Sequence, residues 1–225
     1  MHMRPVIAFN LNGTLLDPSG LDPLFAEFFG DAALRRTWFL QVEKLLLLSA
    51  ATTVYHDFDS ITQAALGLVE AETRQLSSDE NERFKEAVLH LAAFSEVEEG
   101  LKRLRDHFTL AVLTNSTLKG ATRQISNVGL TRYFAHVHSA DEVQHFKPAP
   151  EPYRMLARKL GVAVGEITLV AAHAWDIAGA AWAGCQTAFI RRPGQYLSEV
   201  SPTPNIVAND LVDLAAQLQT RAEAA

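Results

Sequence analysis

Residues 8–17 read AFNLNGTLLD, a short apolar strand that runs into a Gly-Thr turn and delivers the side chain of Asn10 to its mouth. A strand end followed by a tight turn is where an α/β enzyme holds a nucleophile, because ligands of such sheets gather at the carboxyl ends of the strands. A carboxylate, thiol or hydroxyl would serve there. An amide is a very poor nucleophile, so the identity of residue 10 is the question around which the sequence is read.

Runs of the same kind recur: PVIAF at 5–9, LAVLTN at 110–115, HVHSAD at 136–141, ITLVAA at 167–172 and QTAFIRR at 186–192. They are continuously apolar rather than alternating, as parallel strands covered on both faces must be, and helical patterns lie between them. Helices are predicted near 119–128, 151–161, 176–184 and 209–222, the second opened by the prolines of KPAPEPY and closed at Gly161. The fold class is therefore α/β, with a doubly wound, parallel, Rossmann-like sheet.

The first two strands are separated by roughly a hundred residues, far beyond an ordinary connection, and the gap is helix-rich. It reads as an inserted helical cap over 18–94, through FAEFF, ALRRTWFLQVEKLLLLSA, FDSITQAALGLVEAET and DENERFKEAVLHLAAF, with SSDE at 77–80 supplying a helix start. The core domain is then 1–17 plus 95–225. FAEFF and the leucine run read as the cap's own core, with LLLLSAATTV at 45–54 as one buried helix face.

Composition narrows the partners. A net charge of −6 over 225 residues, with no block of lysines and arginines, argues against nucleic acid. The longest apolar run is about half of what a bilayer span needs, so no membrane is expected. One cysteine, Cys185, precludes an internal disulfide and reads as a small buried residue. With neither a charged-then-apolar leader nor a small-residue cleavage site, the chain is expected in the cytoplasm, and a homodimer is compatible with this reading.

Four strand ends converge in this topology. They bring Asn10, Asn12 and Thr14, then Thr114-Asn115-Ser116, then Lys147, then His173 to Asp176. Singly, each is an ordinary turn or cap. Together, LTNST, FKPAPEPY and VAAHAWDIAGAAWAG resemble the second, third and fourth motifs of the haloacid-dehalogenase superfamily, and of its L-2-haloacid dehalogenase branch in particular. AFSEV marks the return from the cap. The resemblance covers essentially the whole chain.

In that family the first motif begins with a nucleophilic aspartate, whose place Asn10 takes. The likeness implies a hydrolase acting at carbon of a small carboxylic acid through an aspartyl ester, without cofactor. A superfamily phosphatase carries a second aspartate two residues after the nucleophile and further acids in the fourth motif for magnesium. Asn12 and a lone Asp176 fill neither requirement, so no metal is expected. The implied catalytic set is Asn10, Lys147, Asp176 and His173, with Asp176 orienting water and His173 standing where the branch has asparagine. Asn12, Thr14, Thr114, Asn115, Phe39, Leu40 and Trp175 are implied to bind substrate. Phe39-Leu40 fall where the branch's cap has an Arg-Gln pair, while Arg35 and Arg36 read as solvated.

A small 2-haloacid is the expected substrate, with this chain inactive because of Asn10. Two alternatives stand beside it: a ring-opening hydrolase of the azetidine-2-carboxylate type, and a non-catalytic small-acid-binding pseudoenzyme. Lys147, just after a strand, is expected to remain solvated.

Overall fold

The computed structural model describes residues 4–223. The outermost ends of the two core segments, 1–3 and 224–225, lie outside the described residues. Six parallel strands form one sheet in the order β3-β2-β1-β4-β5-β6. They are β1 (Val6–Phe9), β2 (Thr109–Thr114), β3 (His136–Ser139), β4 (Ile167–Ala171), β5 (Gln186–Ile190) and β6 (Ile206–Ala208). The first strand sits at the centre, paired in parallel with β2 and β4. Chain order reverses on either side of it, which opens a crevice above its carboxyl end.

The strands are apolar throughout because both faces are covered. On one side α7 (Pro150–Leu160) and α8 (Ala174–Ala183) bury Tyr153, Leu156 and Ile177 against Ala8, Leu113 and Leu169. On the other, α5 (Val97–Leu104), α6 (Leu118–Asn127) and α9 (Leu211–Glu223) cover Ile7, Phe9 and Val112. Helix α7 begins at a proline and ends at Gly161, whose φ of 68° is the left-handed stop that a glycine adopts without strain. The strand missing from the sequence reading is β6. It is three residues long, and only Ile206 and Ala208 point inward.

Between β1 and α5 lie four α-helices: α1 (Asp22–Phe29), α2 (Leu34–Thr52), α3 (Phe58–Glu72) and α4 (Ser78–Leu89). Phe25, Trp38 and Phe84 meet at the centre of this group, with ring centroids 5.2–6.0 Å apart. Such aromatic pairs contribute about 0.5–1.5 kcal/mol each beyond area burial. The Trp38 indole donates to the Thr62 carbonyl at 3.1 Å and ties α2 to α3. At the start of α4 the capping box is complete: the Glu80 amide donates to Ser77 Oγ, and the Ser77 amide donates to the Glu80 carboxylate. The buried face expected over 45–54 is limited to Leu46 and Ser49; Leu47 and Leu48 turn to solvent, because a helix shows only a stripe of its surface to the core, and Val54 lies exposed beyond the end of α2.

The segments entering and leaving this insertion run side by side. Leu16 bridges Ala93 antiparallel, the Asp17 amide donates to the Ala92 carbonyl at 2.8 Å, and the Phe94 amide donates to the Leu15 carbonyl at 3.0 Å. Farther out, Tyr55 bonds Asp141 and the Trp175 indole donates to Glu43 at 2.9 Å. Gln124 joins Asn12 and the Val88 carbonyl. No helix among the described residues is long and apolar enough to cross a membrane.

Candidate functional site

Asn10 follows β1 directly, and its amide N–H still belongs to the sheet, donating to the Val170 carbonyl at 2.9 Å. Its side chain is buried and fully engaged. Lys147 Nζ donates to Oδ1 at 3.1 Å. On the other side, Nδ2 lies 3.0 Å from the Asn12 carbonyl, 3.0 Å from Thr14 Oγ1 and 3.2 Å from His173 Nδ1. The orientation is fixed by chemistry, since the reverse would set an NH2 against an ammonium.

Lys147 is wholly buried, which corrects the expectation that it stays in solvent. Its ammonium is held by Asp176 Oδ2 at 2.5 Å, the Leu113 carbonyl at 2.9 Å and Asn10. All three donors are used, and an ion pair satisfied in this way survives burial. Burial pulls the Lys147 pKa below the ordinary lysine value, and Asp176 opposes that shift. Tyr153 donates to the other Asp176 oxygen at 2.7 Å, and its own pKa is pushed well up by burial and by the neighbouring carboxylate.

Asp176 is thus committed on both oxygens and does not line the cavity beneath the inserted helices. The expected role in orienting water is corrected: this carboxylate fixes Lys147. The same commitment tests the site for a divalent cation. A hard cation needs several oxygen ligands, preferably anionic, and behind Asn10 there is one carboxylate, already shared between Lys147 and Tyr153. Among the described residues no cluster of three or more His, Cys, Asp or Glu side chains is suited to a metal.

Thr14 and Asn115 also act behind the site. Thr14 Oγ1 accepts from the Ala172 amide at 3.0 Å, so it pins the turn to the end of β4. Asn115 exchanges two hydrogen bonds with the backbone of Lys147, at 2.9 and 3.1 Å, and so positions that lysine. Asn115 also faces the cavity, as do Asn12, Thr114, Ser116, His173 and Trp175.

His173 is the N-cap residue of α8 but makes no capping bond through its side chain; its ring turns to Asn10. Burial, with the charge of Lys147 second, lowers its pKa to about 3, so the ring is neutral at ordinary pH. Gly13, with φ of 74°, lies against it, and a Cβ there would come within 2.8 Å of the ring. Trp175 stacks on one side at 5.3 Å between centroids, and Phe39 approaches at 5.6 Å.

From the insertion, Phe39 lines the cavity with Val42, Leu46 and Phe58. Leu40 does not: it is 63 % exposed, because one step along a helix turns a side chain by about 100°. Arg35 is corrected too. It is buried and paired with Asp22 at 2.5 Å, and with Arg36 it lines a separate cavity of about 240 Å³ beyond Phe39 and His173. Sequence reading missed Glu43, which lines both cavities. Its place one helical turn after Phe39 was the available signal, since i and i+4 share a face. The cavity at Asn10 is about 30 Å³, room for two or so waters.

Comparison with known proteins identifies the family and the fold. A family model described as haloacid dehalogenase-like hydrolase matches residues 5–184. The chain is 32 % identical over 206 residues to an (S)-2-haloacid dehalogenase of Pseudomonas sp. (strain YL), covering 88 % of each. It is 29 % identical over 204 residues to haloacetate dehalogenase H-2 of Moraxella sp. (strain B), covering 88 % of this chain and 91 % of that one. Among solved structures, the L-2-haloacid dehalogenase RSc1362 superposes with a TM-score of 0.88 at 28 % identity, over 97 % of this chain and all of that one. A parallel α/β sheet with its strand ends gathered around residue 10 defines the class, and the chain belongs to the haloacid dehalogenase-like hydrolases.

Proposed function

We propose that this chain carries the site of a metal-independent hydrolase that displaces a leaving group from carbon of a small carboxylic acid, with 2-haloacids as substrates, and that Asn10 stands in the nucleophile's place. The helical insertion of 18–94 acts as the cap over the core of 1–17 and 95–225. The observation that carries the reading is the Lys147 ammonium, wholly buried and 3.1 Å from Asn10 Oδ1. A buried cation aimed at one side-chain oxygen is what a carboxylate nucleophile needs to stay ionised in a dry site.

With aspartate at position 10, a carboxylate oxygen would attack C2 of the haloacid, and halide would leave with the electron pair of the broken bond. The ester so formed is opened at its carbonyl carbon by water, which returns the carboxylate and releases the hydroxy acid. Halide needs no proton to leave, so Asn12 at the position of the phosphatases' acid is no handicap. His173, 3.2 Å from residue 10, is placed to hydrogen-bond the incoming water; a ring with a pKa near 3 is a weak base, so the water's protons pass on to the departing hydroxyl and to solvent. Loss of the nucleophile costs on the order of 10⁶ in rate, about 8 kcal/mol of barrier.

One contact favours a second reading, a chain that binds a small acid without turning it over. Asn10 Nδ2 donates to the Asn12 carbonyl, a bond a carboxylate cannot make, so the amide is built into the turn. Halide release by Asn10→Asp from a panel of 2-haloacids decides between them. Turnover in the variant and almost none in the chain as it stands is the expected result. Equal activity in both, with deamidation excluded by mass, removes residue 10 from the chemistry; an inert variant that still binds the acids leaves the binding reading.

A further inference from the structure

Of the side chains that line the cavity at Asn10, Glu43 alone is an acid, and the His173 ring is neutral. Lys147 and Asp176 lie behind Asn10 and neutralise one another at 2.5 Å. Glu43 has a neutral partner only: the Trp175 indole donates to Oε1 at 2.9 Å, which leaves Oε2 without a hydrogen-bond donor among the described residues. Its carboxyl is raised above the ordinary glutamate range by burial, that bond opposing, and no cation contributes. A carboxylate kept partly buried and without a cation is costly unless something brings the missing charge.

The opposite wall offers donors. Asn115 Nδ2 spends one hydrogen on the Lys147 carbonyl, and Asn12 Nδ2 spends one on Ser116 Oγ. Each amide therefore keeps a second hydrogen, and the Ser116 hydroxyl keeps its own. All three residues face the cavity. The cavity is thus bipolar, with hydrogen-bond donors on the core side and one unpaired carboxylate on the inserted helix α2.

We propose that Glu43 makes this a site for small zwitterionic acids, its free oxygen receiving the ligand's ammonium while the donors of Asn12, Asn115 and Ser116 receive the ligand's carboxylate. An anionic ligand without an amine brings nothing that favours the ionised form of Glu43, which burial already disfavours. A zwitterion brings the cation that Glu43 lacks. Charge-assisted bonds of this kind are the strong ones, and a missing partner is felt as a large loss. The inference rests on the reading of this cavity as the small-acid pocket of Proposed function and sets a zwitterionic acid above the haloacid as its ligand.

Because Asn10 makes the chain unreactive, binding is measurable at equilibrium. Isothermal titration of the intact chain with 2-aminopropionate, 2-chloropropionate and propionate compares three ligands on one carbon skeleton. The amino acid is expected to bind at least about tenfold tighter than the chloro acid, and Glu43→Gln, which keeps an acceptor for Trp175, is expected to abolish that difference. Equal or tighter binding of 2-chloropropionate by the unaltered chain overturns the proposal and leaves the haloacid reading standing. Binding of neither acid overturns both. Should Glu43→Gln melt early, the comparison of ligands on the unaltered chain still decides.

Discussion

Lys147 Nζ reaches across the end of the sheet to within 3.1 Å of Asn10 Oδ1, while Asp176 Oδ2 holds the same ammonium at 2.5 Å. One buried cation thus serves two positions, one a carboxylate and the other an amide. In the proposed reading the amide has replaced a second carboxylate, and Lys147 would then bridge two anions.

Removing the lysine should therefore cost folding as well as chemistry. Lys147→Met leaves Asp176 buried with only Tyr153, and breaking a buried pair in this way costs about 3–5 kcal/mol. Lys147→Met/Asp176→Leu, which removes both charges, should recover much of that loss. Urea denaturation checks it, and an unchanged midpoint in the single variant contradicts the burial of this pair.

His173 gives a pH dependence whose sign follows from its depressed pKa. The unfolded imidazole takes a proton near pH 6.5, the folded one only near 3. Below about pH 6.5 the unfolded state thus binds more protons, and stability falls with pH by up to about 1.4 kcal/mol per unit until the folded pKa is reached. His173→Asn should flatten the difference in stability between pH 7 and pH 5 relative to the parent. Identical slopes in the two proteins would show that the ring protonates freely.

The strand ends were legible because their apolar runs are continuous, and the order Asn10, Asn115, Lys147, Asp176 followed from βαβ topology. What escaped was burial of polar groups. Lys147 reads as a loop lysine because the residues that satisfy it, Asp176, Leu113 and Asn10, are 29, 34 and 137 positions away. Glu43 carries no motif of its own, and only its place one helical turn after Phe39 brings it to the cavity. Leu40 is implied in the pocket only by its correspondence with the branch's Arg-Gln pair; helical rotation sends it to solvent.

Gly13 should tolerate no side chain. At φ of 74° an alanine is strained, and its Cβ would sit 2.8 Å from the His173 ring. Gly13→Ala is expected to lose about 1–3 kcal/mol, and part of the loss should vanish when His173 is also shortened to alanine. Additive losses in a thermal-denaturation cycle would place the two residues apart.

Phe39→Arg should redirect the ligand preference. An arginine there shares the face of α2 with Glu43 at i,i+4, supplies the cation that carboxylate lacks and faces the cavity at Asn10. In titrations, 2-chloropropionate is expected to gain about tenfold or more in affinity and 2-aminopropionate to lose its advantage. No change for either acid would mean that residue 39 does not meet the ligand.

The claim that residue 10 is the point of attack is tested most directly by a single turnover of the Asn10→Asp protein on 2-chloropropionate in water enriched in oxygen-18, with enzyme in excess. If an ester forms on residue 10, the hydroxy acid leaves with an unlabelled oxygen from the protein, and the peptide containing residue 10 gains one oxygen-18 by mass. Label found in the hydroxy acid, with that peptide unlabelled, would mean that water attacks carbon directly and that residue 10 is no nucleophile.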